Sequence, residues 1–302
     1  MPSVGCSRRA ALALAFLAFF LAVPSHAAEV GCSAIYAEGS IEKAYLPKLW
    51  PSGFRPAPGM CMQAYIRGVI DKGDFEKVRR LYAENHPLLN VFSLISAGGS
   101  VEEAEKIGRL FRRYLISVFS PLRVGEITWF SDMGDGWRCK GPNCVCASAC
   151  GLAWFGGTKR SGTVGLHRPR IDNPDFRGLA PAEAAKVYTA VLEQIRRYMM
   201  EMEAPRPTIN AMVGTGSSEV QWIDADQDAL SRPPSFAEWS DASCGMFFPQ
   251  QEIEFRRLQA KEARDLTEPE RFQLEVLSKK LTEYTTCNLI LRFRSVDRLP
   301  RP

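Results

Sequence analysis

The chain alternates short apolar runs with stretches in which apolar residues recur every three or four positions, and glycine or proline pairs separate the two. Met60 to Gly68 has strand character. Gly73-Asp74 then opens a helical stretch through Val78, Leu81 and Tyr82, which His86-Pro87 ends because a residue before proline is pushed out of the helical region. Leu88 to Ser96 is mostly apolar, as a strand buried on both faces requires. After Ala97-Gly98-Gly99, Ser100 stands as an N-cap and Glu103 completes a capping box. Val101, Ala104, Ile107, Phe111, Leu115 and Val118 form one face of the helix that follows. Glu126 to Phe130 predicts a strand, followed by a glycine-rich loop carrying cysteines. Cys144 to Ala147 leads into a short helix from Ser148, and Thr163 to His167 reads as another strand. Pro181 to Met202 is a long helix with Ala184, Val187, Val191, Ile195, Tyr198 and Met202 on a stripe, which packing against the sheet or a neighbouring subunit explains. Strands alternating with helices give an α/β layered domain.

The tail changes character after Arg232-Pro233-Pro234. Two charged helices, 250–263 and 268–291, carry Phe255, Leu258, Phe272, Val276 and Leu277 as their apolar positions and form a helical extension without chemistry of its own.

The first residues argue for export. Ser7-Arg8-Arg9 precedes an apolar run from Ala10 to Val23, then Pro24 and Ser25-His26-Ala27, the basic, apolar and small-residue order of a secretory signal peptide. The run is too short for a stable membrane span. Cleavage after Ala27 divides the chain into a signal peptide at 1–27, an N-terminal arm at 28–58, a main domain at 59–235 and the extension at 236–302. A periplasmic or secreted location follows.

Cleavage leaves eight cysteines, Cys32, Cys61, Cys139, Cys144, Cys146, Cys150, Cys244 and Cys287. An even number in an exported chain points to disulfides, with Cys244 and Cys287 a candidate pair for tying the tail to its base. Zinc at Cys144 and Cys146 is disfavoured, since their gap is not that of a zinc knuckle and no histidine accompanies it. No cofactor is called for. The formal charge of +4 carries little meaning, because removing Arg8 and Arg9 from the 38 basic residues leaves 36 against 34 acidic ones. No basic run interleaves with aromatic residues, so a nucleic-acid partner is not expected.

Acyl transfer needs a hydroxyl nucleophile, a base and two N–H groups aimed at the developing oxyanion. Ser148 at a helix start is ordinarily an N-cap, but it also leaves the Ala149 N–H free to donate and faces a positive helix end. The Gly99 N–H is the second candidate donor, since a residue without a side chain lets a substrate carbonyl approach. His167 is the base of choice, because the other retained histidine, His86, sits at a helix end before proline.

Leu94 to Ala104 with its Gly98-Gly99 pair, then Ala147-Ser148-Ala149, then Gly165-Leu166-His167-Arg168-Pro169 resembles the Clp protease proteolytic subunit family within the ClpP/crotonase superfamily, in particular its exported bacterial branch. The resemblance spans roughly Met60 to Asp228. It implies a repeated β-β-α layered fold, with the helical extension lying outside it. Carried over by motif position, Ser148 matches the nucleophile, His167 the general base, and Gly99 and Ala149 the oxyanion donors. It further implies a peptide or protein substrate and a homo-oligomer.

The sequence departs from that pattern at several points. Ala97 replaces the usual proline, and the gap from Ser148 to His167 is shorter. The position of the third, acidic member falls near Thr215-Gly216-Ser217, where no carboxylate stands, with Glu219, Asp224 and Asp172 as neighbours in sequence. A Ser-His dyad is the expected arrangement, with Ser148 and His167 in hydrogen-bond reach. Lys159 is the alternative base. The functional expectation is an exported serine hydrolase, a peptidase by resemblance. The alternative is a catalytically inactive binding or assembly protein that uses the groove to hold a peptide strand or partner. Coenzyme A thioester chemistry fits an exported chain poorly.

Overall fold

The computed structural model describes residues 27–37, 55–124, 127–131, 138–171, 174–224 and 233–297. The basic and apolar parts of the leader, Glu126, Asp172 and Arg232 lie outside these residues.

Five strands form the main sheet, in the order β1-β2-β3-β4-β8. They are β1 (Glu29–Ile35), β2 (Cys61–Arg67), β3 (Val91–Ile95), β4 (Ser117–Phe119) and β8 (Lys159–Ser161). β1 runs antiparallel to β2, and the remaining pairs are parallel. β1 therefore brings the start of the expected arm into the sheet, and Cys32–Cys61 joins the two strands covalently. Helices α1 (Asp74–Asn85) and α2 (Val101–Arg113) make the crossovers between parallel neighbours, as parallel strands need a long connection. Phe92 and Leu94 of β3 meet Val78 and Tyr82 of α1, and Ala104, Ile107 and Phe111 of α2, in one buried core.

The helical face read through Leu115 and Val118 overruns the helix. Tyr114 caps α2, and Leu115 adopts φ 53°, a left-handed conformation that reverses the chain. Val118 belongs to β4 and is buried there as a strand residue. The capping box also differs from expectation. Ser100 Oγ accepts the Glu103 N–H at 3.3 Å, but the Glu103 carboxylate does not reach back. The Ser100 N–H donates to the Ile70 carbonyl, and Glu103 instead accepts the N–H groups of Gly73 and Phe75, both at 3.0 Å, so that α2 caps α1.

A second, smaller layer grows from the ends of these strands. Ile70 bridges Gly99, Ser96 bridges Cys146, and Ala147 bridges Gly165, all in parallel. Gly165 lies on β9 (Thr163–Leu166), which pairs antiparallel with β10 (Gln221–Asp224). α3 (Ala149–Phe155), which precedes β9 in the chain, fills the core against α2. A third sheet, β5-β6-β7 (Leu122–Val124, Ile127–Ser131, Arg138–Lys140), is fastened by Cys139–Cys144 to the segment that leads to Ser148.

After α4 (Pro174–Arg177), the long helix α5 (Pro181–Glu201) packs only by its C-terminal half. Ile195, Tyr198 and Met199 are buried, whereas Val187 is 39% exposed. α6 (Arg206–Gly214) then leads back to β10. The tail forms three helices rather than two, α7 (Pro234–Cys244), α8 (Pro249–Gln259) and α9 (Glu268–Asp297). It has its own small core of Leu258, Leu266 and Leu277, with Phe247, Phe255 and Leu274 against it. Phe272 and Val276 stand outside that core, 70% and 48% exposed. Cys244–Cys287 ties α7 to α9 as the sequence suggested, and Arg292 of α9 donates to Ser117 Oγ of β4 at 2.9 Å. No described helix is long and apolar enough to cross a membrane.

Glu103 gives a test of this framework. Burial pushes its carboxyl up, but the Phe75 N–H, the Lys106 ammonium and the Gly73 N–H outweigh burial and hold it below the ordinary 4.5. Hydrogen bonds to a charged group are worth about 1.5 to 3 kcal/mol, so Glu103→Gln is expected to lower unfolding free energy by about that amount at neutral pH. A depressed carboxyl contributes fully above its unfolded value and loses that contribution as pH falls through its folded value. Urea titrations should therefore show the gap between the two proteins closing as pH drops below 4.5.

Candidate active site

Ser148 sits between the bridge residue Ala147 and the first residue of α3, with its N–H donating to the Gly165 carbonyl at 2.9 Å. Its backbone stands at φ 56°, ψ −125°. That is not the conformation of an N-cap, and the side chain makes no capping bond, so the ordinary reading of a serine before a helix is overturned. A non-glycine residue in such a region costs about 1 to 3 kcal/mol and persists only where the surroundings hold it. They do so here from both sides. Ala147 donates to Ser96 and is bridged to Gly165, while Cys150 and Gly151 donate back to Ala147 and Ser148. Cys146–Cys150 then closes a disulfide loop with Ser148 at its centre, both sulfurs fully buried.

The Gly98-Gly99 turn lies directly against this serine. A Cβ on Gly98 would meet Ser148 Cβ at 2.7 Å, and one on Gly99 would meet the Ile70 carbonyl oxygen at 2.0 Å. Both residues have φ above 120°, where a side chain is strained in any case. The polar groups of Gly98 are fully used. Its N–H donates to Ser96 Oγ at 3.1 Å, and its carbonyl accepts from Ser96 Oγ at 3.0 Å and from the Ile70 N–H at 2.9 Å. By contrast, the N–H groups of Gly99 and Ala149 make no hydrogen bond to the described residues. α3 has seven residues, so it brings the Ala149 N–H to the site more than it brings a large dipole, and the Gly99 N–H comes from the turn between β3 and α2.

His167 follows β9, two residues beyond the Gly165 that pairs with Ala147, and is half-buried. The expected Ser148–His167 hydrogen bond is absent among the described residues. The ring Nδ1 instead lies 2.9 Å from the Arg168 carbonyl oxygen. A carbonyl only accepts, so Nδ1 is the donor here, and in the neutral ring the lone pair then falls on Nε2. The Arg168 N–H in turn donates to the Thr215 carbonyl, which brings the 215–219 turn beside the histidine by backbone alone. No described carboxylate hydrogen-bonds the ring. Asp224 pairs opposite Thr163, at the end of the β9–β10 strand pair away from His167, and the Glu219 backbone N–H donates to the Gly216 carbonyl within its own turn.

Lys159 does not reach the site. It opens β8 beyond the C-terminal end of α3, while Ser148 precedes the N-terminal end, and a seven-residue helix separates the two ends by about 10 Å. Cys144 and Cys146 are each in a disulfide, with Cys139 and Cys150 respectively. Sequence reasoning missed Ser96, whose hydroxyl shapes the glycine turn. Its only signal was a serine at the end of an otherwise apolar strand.

No protein-family model and no curated protein matches the chain. Among solved structures it is similar to a ClpP1 mutant from Listeria monocytogenes, at 17% identity and a TM-score of 0.37, covering 57% of this chain and 87% of that one.

Burial orders the disulfides by accessibility. Cys146 and Cys150 are fully enclosed, whereas Cys244 and Cys287 are only half-buried. Mild reductant under native conditions, followed by thiol alkylation and peptide mapping, should open Cys244–Cys287 first and leave Cys146–Cys150 intact until the chain unfolds.

Proposed function

We propose that the protein is an exported serine hydrolase that acts through an acyl-enzyme at Ser148. The observation that carries this reading is the backbone of Ser148. A strained conformation holds its hydroxyl at a strand-to-helix junction, against a turn whose two glycines leave one N–H unclaimed, and beside a second unclaimed N–H at Ala149. Strain at a single serine with paired free donors is what acyl transfer requires, and packing alone gives no reason for it.

In the proposed reaction, Ser148 Oγ adds to the carbonyl carbon of the substrate while its proton passes to His167 Nε2. The carbonyl oxygen becomes an oxyanion and accepts the N–H groups of Gly99 and Ala149. Collapse of the adduct expels the leaving group, which takes the proton from Nε2, and water repeats the sequence on the acyl-serine. In this reading the Arg168 carbonyl orients the ring, the part an acid takes in a triad. His167 closes on Ser148 when substrate fills the groove, as catalytic hydrogen bonds often tighten only in the complex. Peptides are the substrate class that the sequence resemblance implies, and the four disulfides fit a periplasmic or secreted setting. Self-association through the exposed N-terminal half of α5 belongs to the same proposal.

A second reading, a non-catalytic groove that binds a peptide strand or partner, is favoured by one observation, the missing hydrogen bond between Ser148 and His167. Labelling with a fluorophosphonate separates the two. If Ser148 is the nucleophile, the probe attaches to it, Ser148→Ala abolishes attachment without unfolding the protein, and His167→Ala slows it by about 10²- to 10⁴-fold. A folded protein that takes no label, or takes it equally in both variants, would support the binding reading.

A further inference from the structure

Ala28 is the first residue after the expected cleavage point, and it is 1% exposed. Its backbone nitrogen donates to Asp74 Oδ2 at 2.9 Å, and Asp74 is itself fully buried. The same oxygen accepts the Asp71 N–H at 2.8 Å, and Oδ1 accepts the Lys77 ammonium at 2.7 Å. Lys77 also donates to the Ala28 carbonyl at 3.1 Å. A buried carboxylate is thus aimed at the one backbone nitrogen that processing would turn into an amino group.

We propose that Asp74 is the receptor for the amino terminus of the processed chain. Hydrolysis of the Ala27–Ala28 amide by a signal peptidase puts the hydroxyl of water on the Ala27 carbonyl carbon and its proton on the Ala28 nitrogen, which takes a further proton from solvent. The products are a free carboxylate on the departing leader and an α-ammonium on Ala28. That ammonium keeps the N–H donor already seated on Asp74 and adds a positive charge beside a carboxylate shielded from water, where an ion pair is screened little by salt.

The pair reaches further than the terminus. Asp71, held by the same carboxylate oxygen, follows Ile70, whose N–H and carbonyl clasp Gly98 and Ser100 on either side of Gly99. Seating the new terminus therefore braces the turn that faces Ser148. The inference uses the exported reading of the chain but not its catalytic one.

The test uses protein exported from the full-length precursor and starts with its intact mass, which should place the first residue at Ala28. Two precursor variants follow, Asp74→Asn and an insertion of one alanine after Ala27. The inserted residue moves the amino group about 3.8 Å along the chain while leaving Asp74 and Lys77 in place. Acetylation of the α-amine by an activated ester, read on the terminal peptide, should be at least about tenfold slower in the parent than in either variant, as one unit of amine pKa dictates. The one-residue extension should also melt at least about 3 °C below the parent, and Asp74→Asn in the extended chain should cost less than in the parent, since the shared interaction is already gone. A mature chain that begins elsewhere would overturn the proposal. So would equal acetylation rates, or equal melting of the parent and extended chains. Neither readout depends on Ser148, so failure here leaves the hydrolase reading standing, and loss of that reading leaves this one.

Discussion

The site depends on the close backbone contact between the Gly98-Gly99 turn and its two neighbours, Ile70 on one side and Ser148 on the other. There is no room for a side chain in either gap: a Cβ would come within 2.0 Å of the Ile70 oxygen or 2.7 Å of Ser148 Cβ. Hydrogen bonds from Ile70 and the Ser96 hydroxyl consume the polar groups of Gly98. The Gly99 N–H is left over, and in the proposed reaction it is one of the two donors to the oxyanion. Buried backbone groups are nearly always paired, so the unclaimed N–H of Ala149, a residue only 1% exposed, stands out beside the strained serine, whereas Gly99 is exposed and its N–H is open to solvent or a ligand.

The surrounding structure has the stiffness such a contact needs. Ser148 is anchored to Gly165 of β9 through its N–H and enclosed by the Cys146–Cys150 loop. Residues 144–147 are tied through Cys139–Cys144 to a separate sheet. The turn opposite is set by β3 and α2, whose Glu103 also caps α1. Each piece that touches Ser148 is therefore fixed by an element of the core. His167 is held differently. It lies past the end of its strand, and its partner is its own neighbour's carbonyl, so its ring has a defined tautomer without a fixed contact to the serine.

Much of this was legible in the sequence, and the misses share physical causes. The glycine pair after an apolar strand, the serine at a strand-to-helix junction and the scarcity of histidine single out Gly99, Ser148, Ala149 and His167. Pattern alone could not reveal the conformation of Ser148, because a serine before a helix looks the same whether it caps the helix or is strained. Leu115 and Val118 continued the spacing of α2, since three- and four-residue periodicity does not register a left-handed turn at Leu115. Pro233-Pro234 reads as a break, yet Pro234 starts α7, where its missing N–H costs nothing. β1 and β10 were missed because pairing across long sequence gaps, and not local pattern, makes them strands. The capping box pointed to the right residues, but Glu103 found better donors on a neighbouring helix.

The central claim is that Ser148 faces two N–H groups held ready for an oxyanion. It is tested most directly by a crystal structure of the protein with a tetrahedral phosphonate adduct. The account predicts a covalent bond to Ser148 Oγ, with the anionic oxygen about 2.7 to 3.1 Å from both the Gly99 and Ala149 nitrogens. An adduct whose oxygen points to solvent, with those N–H groups bonded elsewhere in the protein, would contradict it.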